Sequence, residues 1–168
     1  MKHPFTVISL ALALALPAAA LAQTSAKHAH GSAASTPAVD VPQDALAAVA
    51  VVDAFGKALS ASDFDQVEAL LDPAVIILET GGAERSREEY LGHHARSDAK
   101  FLSGTHSALS RRKARVEGDT AWVASESELH ASKDGKPMTL LSTETMVLNN
   151  TADGWRIVHI HWSSRPKK

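Results

Sequence analysis

Cysteine is absent from all 168 residues. Disulfides and thiolate metal sites are therefore excluded, and packing alone must hold the fold. Basic charge is not in excess either. Lys and Arg number 17 against 19 Asp and Glu, so nothing electrostatic draws the chain to nucleic acid. The one basic run, Arg111-Arg112-Lys113-Ala114-Arg115, lies in a strand pattern whose alternate residues face opposite ways, so it forms no continuous stripe. Also missing are a Gly-rich phosphate loop, a helix-borne H-E-x-x-H, a Ser/His/Asp order and carboxylate pairs at catalytic spacing. No cofactor is expected. The apolar run Val7 to Leu16 falls short of the roughly 20 residues that a membrane span needs.

That run is instead the centre of a secretory leader. Lys2 and His3 form a short basic start, and Ala20-Leu21-Ala22 fits the A-x-A cleavage pattern. Residues 1–22 are expected to be removed, leaving Gln23 first and placing the protein in the periplasm or outside the cell, with no membrane attachment after cleavage. Losing Lys2 moves the net charge from −2 to about −3. Residues 23–42, rich in Ala, Ser, Thr and Pro and without periodicity, read as a disordered linker. The linker carries His28 and His30, a pair that reads as solvated tail rather than as a metal site. Residues 43–168 then form one domain with room for a single core.

Within that domain the hydrophobic period changes once. Ala48, Val51, Val52, Phe55 and Leu59 recur at helical spacing from Asp44 to about Ser62. Asp63 can cap a second helix whose inner face is Val67, Leu70 and Leu71, and Asp72-Pro73 stops it. Ala74 to Glu79 reads as a covered strand, turned by Gly81-Gly82. Ser86-x-x-Glu89 is a capping box for a third helix reaching Leu102, with Tyr90, His94, Ser97 and Phe101 on one face. Four long strands follow in a meander: Thr105 to Val116, Ala121 to Ala131, Met138 to Asn150, and Trp155 to Trp162. Helices in front and an antiparallel sheet behind make an α+β fold. In the closing strand, strict alternation puts Ile157, His159 and His161 on one face and Arg156, Val158, Ile160 and Trp162 on the other.

The order and spacing of three segments carry a resemblance. Ala58-Leu59-Ser60-Ala61-Ser62-Asp63-Phe64-Asp65 ends the first helix, Gly118-Asp119-Thr120-Ala121-Trp122-Val123 starts one strand, and Asp153-Gly154-Trp155-Arg156-Ile157-Val158-His159-Ile160-His161 starts the last. Over residues 44–165 the chain resembles the nuclear transport factor 2-like superfamily in its SnoaL-like branch, and its closing segment is similar to the calcium/calmodulin-dependent kinase II association domain. The resemblance implies a cone-shaped curved sheet wrapped on three N-terminal helices, the cystatin-like architecture, with a pocket at the wide end. It also implies a homodimer through the outer sheet face, near Trp122, His159 and His161. Against the ketosteroid isomerases of that superfamily, the oxyanion tyrosine falls at Phe55 and the general base near Leu78, with Glu79 pointing the other way. Their protonated aspartic acid falls at Glu144. One carboxyl of three survives, which argues against isomerase chemistry.

The resemblance places Phe55, Tyr90, His94, Arg112, Ser127, Glu144, Met146 and Trp162 in the ligand pocket. A carboxyl among Met, Leu and Trp would be desolvated, which suits Glu144 for acid/base work, and His94 is its candidate partner. Either residue could instead be structural, Glu144 paired with Arg112 or Arg156 and His94 satisfied in the core. His159-x-His161 puts two imidazoles on one strand face, a weak metal candidate needing His130 or Glu126 as a third ligand. The leading expectation is an exported homodimeric domain that binds a small, partly apolar molecule. The alternatives are a SnoaL-like isomerase, cyclase or lyase using Glu144 and His94, and, behind it, a periplasmic metal-binding protein.

Overall fold

The structure, a computed structural model, describes residues 36–168. The expected leader and the His28–His30 pair lie outside the described residues. Part of the stretch read as linker is a strand: β1 (Ala38–Asp40) pairs in parallel with β4 (His106–Glu117). A single 3-10 turn (Gln43–Ala45) then leads into α1 (Leu46–Ser60), which buries Ala48, Val52, Phe55 and Leu59 along one stripe. Asp63 caps α2 (Phe64–Leu70) by accepting from the Gln66 amide at 3.1 Å. The helix ends where β2 (Leu71–Glu79) begins, because Pro73 cannot follow a helical residue.

Two local features depart from the simple periodic reading. The third helix is two helices, α3 (Arg87–Gly92) and α4 (Ala95–Ser103), broken at His93 and His94. Gly92 weakens the helix there, and the break re-aims the second half. Ala95 and Ala99 become the buried stripe, while His94, Ser97 and Phe101 are left exposed. The second feature is a bulge in β7 (Gly154–Pro166), where the pairing with β6 (Lys136–Thr151) shifts between Val147 and Leu148. The extra residue at Val158 breaks strict alternation. Ile157 and Ile160 are consequently both buried on the inner face, and Ile157 does not share a face with His159 and His161.

The sheet runs in the order β1-β4-β5-β6-β7-β2-β3, with β5 spanning Thr120–Lys133 and β3 spanning Gly82–Glu84. It is curled and unclosed, with helices packed on its inner face. Paired residues on neighbouring strands point to the same face, so the registers can be read as rungs. One rung is Leu71, Ile157, Leu148, Ala121 and Val116; the next is Ile77, Ile160, Met146, Val123 and Ala114. Nine of those ten side chains are buried, the edge residue Val116 being the exception. Each fully buried aliphatic side chain contributes about 1.5–3 kcal/mol. These two rungs and the α1 stripe are the core.

Candidate functional site

Two residues further along the strands the inner face turns polar. Glu79, Trp162, Glu144, Ser125 and Arg112 are successive cross-strand partners on β2, β7, β6, β5 and β4. All five line a cavity of about 570 Å³, closed on the helix side by Val52, Phe55, Leu59 and Leu102. Beyond this polar rung comes a serine rung, Ser164, Ser142 and Ser127, also on the cavity wall. Leu140 and Leu129 follow at the rim. A molecule inside would meet an apolar helix wall on one side and a graded polar sheet wall on the other.

Glu144 is the centre of the polar rung. The Trp162 indole Nε1–H donates to its Oε2 at 2.9 Å. Burial pushes its carboxyl above the usual range, and the Trp162 bond and nearby Arg112 only partly offset this. Arg112 is occupied elsewhere: its Nη1 donates to Asp53 Oδ1 at 2.6 Å and its Nε to Ser125 Oγ at 3.2 Å. The guanidinium is therefore fixed beside Glu144 without a direct bond to it. Phe55 stacks on Trp162 at 6.2 Å between centroids, and Tyr90 meets the same indole at 6.4 Å. Trp162 is thus locked between two buried rings, and its N–H cannot easily turn away from Glu144.

A second cluster sits where the β2–β3 hairpin meets the break between α3 and α4. Thr80 and Gly81 both have positive φ (41° and 88°), and Glu79 pairs with Gly82, so the hairpin turns in two residues. Glu84 returns opposite Ile77 on the inner face, with its side chain 3% exposed. The His94 imidazole Nδ1 contacts Glu84 Oε1 directly and lies 3.7 Å from Glu79 Oε1. The Tyr90 hydroxyl donates to Asp98 Oδ2 at 3.1 Å. Desolvation raises the Glu79 and Asp98 carboxyls, and the neighbouring acids add to it. The hydrogen bond and charge of Glu84 raise the His94 imidazole. Burial also raises the Tyr90 hydroxyl, so it stays a donor at any ordinary pH.

Of the residues expected in the pocket, Phe55, Arg112, Ser127, Glu144 and Trp162 line the cavity. Tyr90, His94 and Met146 are not among its lining residues. Tyr90 is buried behind Trp162, Met146 belongs to the apolar rung below, and His94 is half exposed and held by Glu84. The reading of β2 needs a specific correction. Leu78 lies on the outer face and is 37% exposed, whereas Glu79, facing the other way as expected, is the residue that faces the cavity. The strand carries a carboxylate near the general-base position after all. Glu84, Asp98 and Asp53 were missed. For Glu84 the signal was available, because a two-residue turn at Thr80-Gly81 fixes which return residue faces inward.

The weak metal pair is not brought together with a third ligand. His159 Nδ1–H donates to the Ile76 carbonyl at 2.9 Å. His130 pairs with Thr139 and stacks on His106, far along the sheet, and Glu126 pairs with Arg111. Among the described residues, the histidine–carboxylate group within ligand reach is Glu79, Glu84 and His94.

The fold can be set beside known proteins. A Shewanella frigidimarina protein described as a candidate ketosteroid isomerase is 36% identical, with a TM-score of 0.67, over 70% of this chain and 94% of that one. The calcium/calmodulin-dependent kinase II hub of S. rosetta is 25% identical, with a TM-score of 0.64, over 71% of this chain and 95% of that one. A candidate dehydratase of the nuclear transport factor 2-like family from Streptomyces avermitilis shares the fold, at 23% identity and a TM-score of 0.58, over 73% and 96% of the two chains. No protein of curated function matches the sequence. The family model for SnoaL-like domains matches residues 48–166, and the chain belongs to the SnoaL-like domain family.

Proposed function

We propose that this domain binds a small, partly apolar molecule bearing a carbonyl or hydroxyl oxygen, and that Glu144 holds that oxygen. The supporting observation is the polar rung: a desolvated carboxyl, fixed by the Trp162 N–H, on the wall of a cavity of about 570 Å³. A carboxyl whose pKa is raised keeps its proton to a higher pH and so can donate as well as accept. Arg112 beside it favours a ligand with some negative charge. We further propose that the protein works after export, as a homodimer through the outer sheet face. The basic, apolar and A-x-A start supports export. Support for self-association comes from the likeness to a hub domain and from Ile76 and Leu78, which are exposed on the face that carries His159 and His161.

A second reading, an acid/base enzyme of isomerase, cyclase or lyase type, is favoured by one observation. Glu79 shares the rung with Glu144 two strands away, about 10 Å between Cα atoms at ordinary strand spacing. Glu79 could take a proton from carbon while Glu144 donates to the oxygen of the same small molecule. Glu79 therefore replaces His94 as the partner of Glu144 in this reading.

Native mass spectrometry of protein purified from its own source tests both readings. A retained small molecule that Trp162→Ala and Glu144→Gln release supports binding. Turnover of that molecule, lost in both Glu79→Gln and Glu144→Gln while binding persists, supports the enzyme. Retention unaffected by Glu144→Gln and Trp162→Ala, with no turnover lost in Glu79→Gln or Glu144→Gln, would place the ligand elsewhere and contradict both.

A further inference from the structure

The cluster at the β2–β3 hairpin is not needed to hold a ligand at Glu144, and its chemistry differs. Glu84 is 97% out of solvent as a side chain (3% exposed), and its Oε2 has no hydrogen-bond partner among the described residues. Leaving a carboxylate oxygen unpartnered in the interior costs more than an ordinary hydrogen bond returns. His94 Nδ1 satisfies only the other oxygen. Glu79 and Asp98 crowd the same place: Asp98, Glu84 and His94 act on Glu79, and His94 and Glu84 act on Asp98. Three acids thus gather around one imidazole, with no Lys or Arg among those charges to balance them.

The ligand atoms of Glu79, Glu84 and His94 lie within 4.8 Å of one another. Two ligands on one zinc-sized ion, each at about 2.1 Å, stand roughly 3–4 Å apart. Side-chain adjustments of about 1 Å would therefore complete a coordination set. Each ligand is also held by regular structure: Glu79 and Glu84 by a two-residue hairpin, and His94 by the first turn of α4. Asp98, fixed by the Tyr90 hydroxyl, lies close enough to act on both His94 and Glu79.

We propose that Glu79, Glu84 and His94 form a binding site for a divalent first-row metal ion at the edge of the cavity. One imidazole and two carboxylates suit zinc or manganese rather than calcium, which takes oxygen ligands only. The free oxygen of Glu84 supplies the lone pair that no protein donor meets, and the ion offsets the excess negative charge. Because Glu79 and Asp98 line the cavity, such an ion would face whatever occupies it. This site goes beyond the ligand reading at Glu144; it shares Glu79 with the acid/base reading, so Glu84 and His94 carry the separate test.

The test is calorimetric titration of the chelator-stripped full chain with zinc chloride, in a background carrying His28→Ala and His30→Ala to remove the tail pair. One equivalent is expected, and Glu84→Gln and His94→Ala should each weaken it tenfold or more. Glu79→Gln, at a more exposed position, should do the same and covers the case in which a Glu84 variant fails to fold. The zinc-dependent rise in melting temperature should vanish in these variants while the metal-free melt remains cooperative. Absence of saturable binding would overturn the proposal. So would binding that survives all three substitutions, or binding that His159→Ala with His161→Ala abolishes. Loss of ligand at Glu144 has no bearing on any of these outcomes.

Discussion

The two acidic clusters that meet at Glu79, the last residue of β2, pose opposite electrostatic problems. At the centre of the polar rung, Glu144 is met by an indole N–H, with a serine hydroxyl and a guanidinium close by. At the hairpin, Glu79, Glu84 and Asp98 share one imidazole and one phenol, and one buried carboxylate oxygen is left without a partner. The first is a neutralised pocket wall, ready to exchange one hydrogen bond with a neutral or weakly anionic guest. The second has surplus negative charge and calls for a cation. Burial raises carboxyls in both places, so a raised carboxyl alone does not tell a ligand site from a metal site. The nature of the neighbours does.

The largest expected effect comes from removing the piece that organises the rung. Trp162→Ala loses stacking on Phe55, contact with Tyr90 and the bond to Glu144. It should destabilise the domain by about 3 kcal/mol, the low end for a large aromatic because Trp162 is only partly buried. Chemical denaturation checks this, and a loss under about 1 kcal/mol would mean that the indole is not the keystone of the pocket.

Arg112→Met is the next test. It removes charge-assisted bonds to Asp53 and Ser125 and should cost about 1–2 kcal/mol. It should also drive the Glu144 midpoint still higher, since the nearby positive charge is lost. An NMR titration of the variant reads that midpoint. The hairpin carboxyls, which have no Arg112 among the charges acting on them, should not move.

Glu144→Gln should act in the other direction. The folded carboxyl holds its proton to a higher pH than the unfolded one, so ionising it counts against the fold. That penalty is absent below the ordinary carboxylate range and complete above the raised value, so stability falls as pH rises between them. The glutamine variant should lack this fall and melt a few degrees higher at pH 7, on the order of 1 kcal/mol or less. The gain should shrink towards zero as both proteins are melted at lower pH. A variant that melts lower at pH 7 would show Glu144 to be a stabilising ion-pair member instead.

The smallest effect belongs at the sheet edge. Arg115 holds the Asp40 carboxyl below its ordinary range, through a 2.7 Å bond at the exposed strand β1. Asp40→Asn should leave the melting temperature within measurement scatter and alter neither cluster. A clear loss would show that pairing of β1 with β4 supports the cavity wall.

How far the sequence could be read follows from which features are periodic. The α1 stripe, the Asp63 cap, the four-strand meander and the α+β order are all written in spacing and turn residues, and the structure carries each of them. Glu144, Arg112, Ser127 and Trp162 could be assigned together only through the resemblance; the structure brings them to one wall because three hairpins set the cross-strand register. Irregularities were not legible. The Val158 bulge, the break at His93 and the pairing of β1 depend on what packs against them, not on local propensity. The Glu79 error had the same origin. Either face of β2 was compatible with an apolar run, and only the parallel pairing with β7 fixes Ile77 and Glu79 inward. Glu84 escaped because the turn was read at Gly81-Gly82, whereas a two-residue turn at Thr80-Gly81 sets Glu84 opposite Ile77 on the inner face.

The most direct test of the account is the titration of the Glu144 carboxyl itself, followed by carbon-13 NMR in the wild-type protein with Glu144→Gln to assign the signal. The account predicts a midpoint above the ordinary glutamate value of about 4.3, rising further in Arg112→Met. A midpoint at or below that value, unmoved by Arg112→Met, would contradict it: Glu144 would then be a solvated or ion-paired residue, and the polar rung would not be a binding wall.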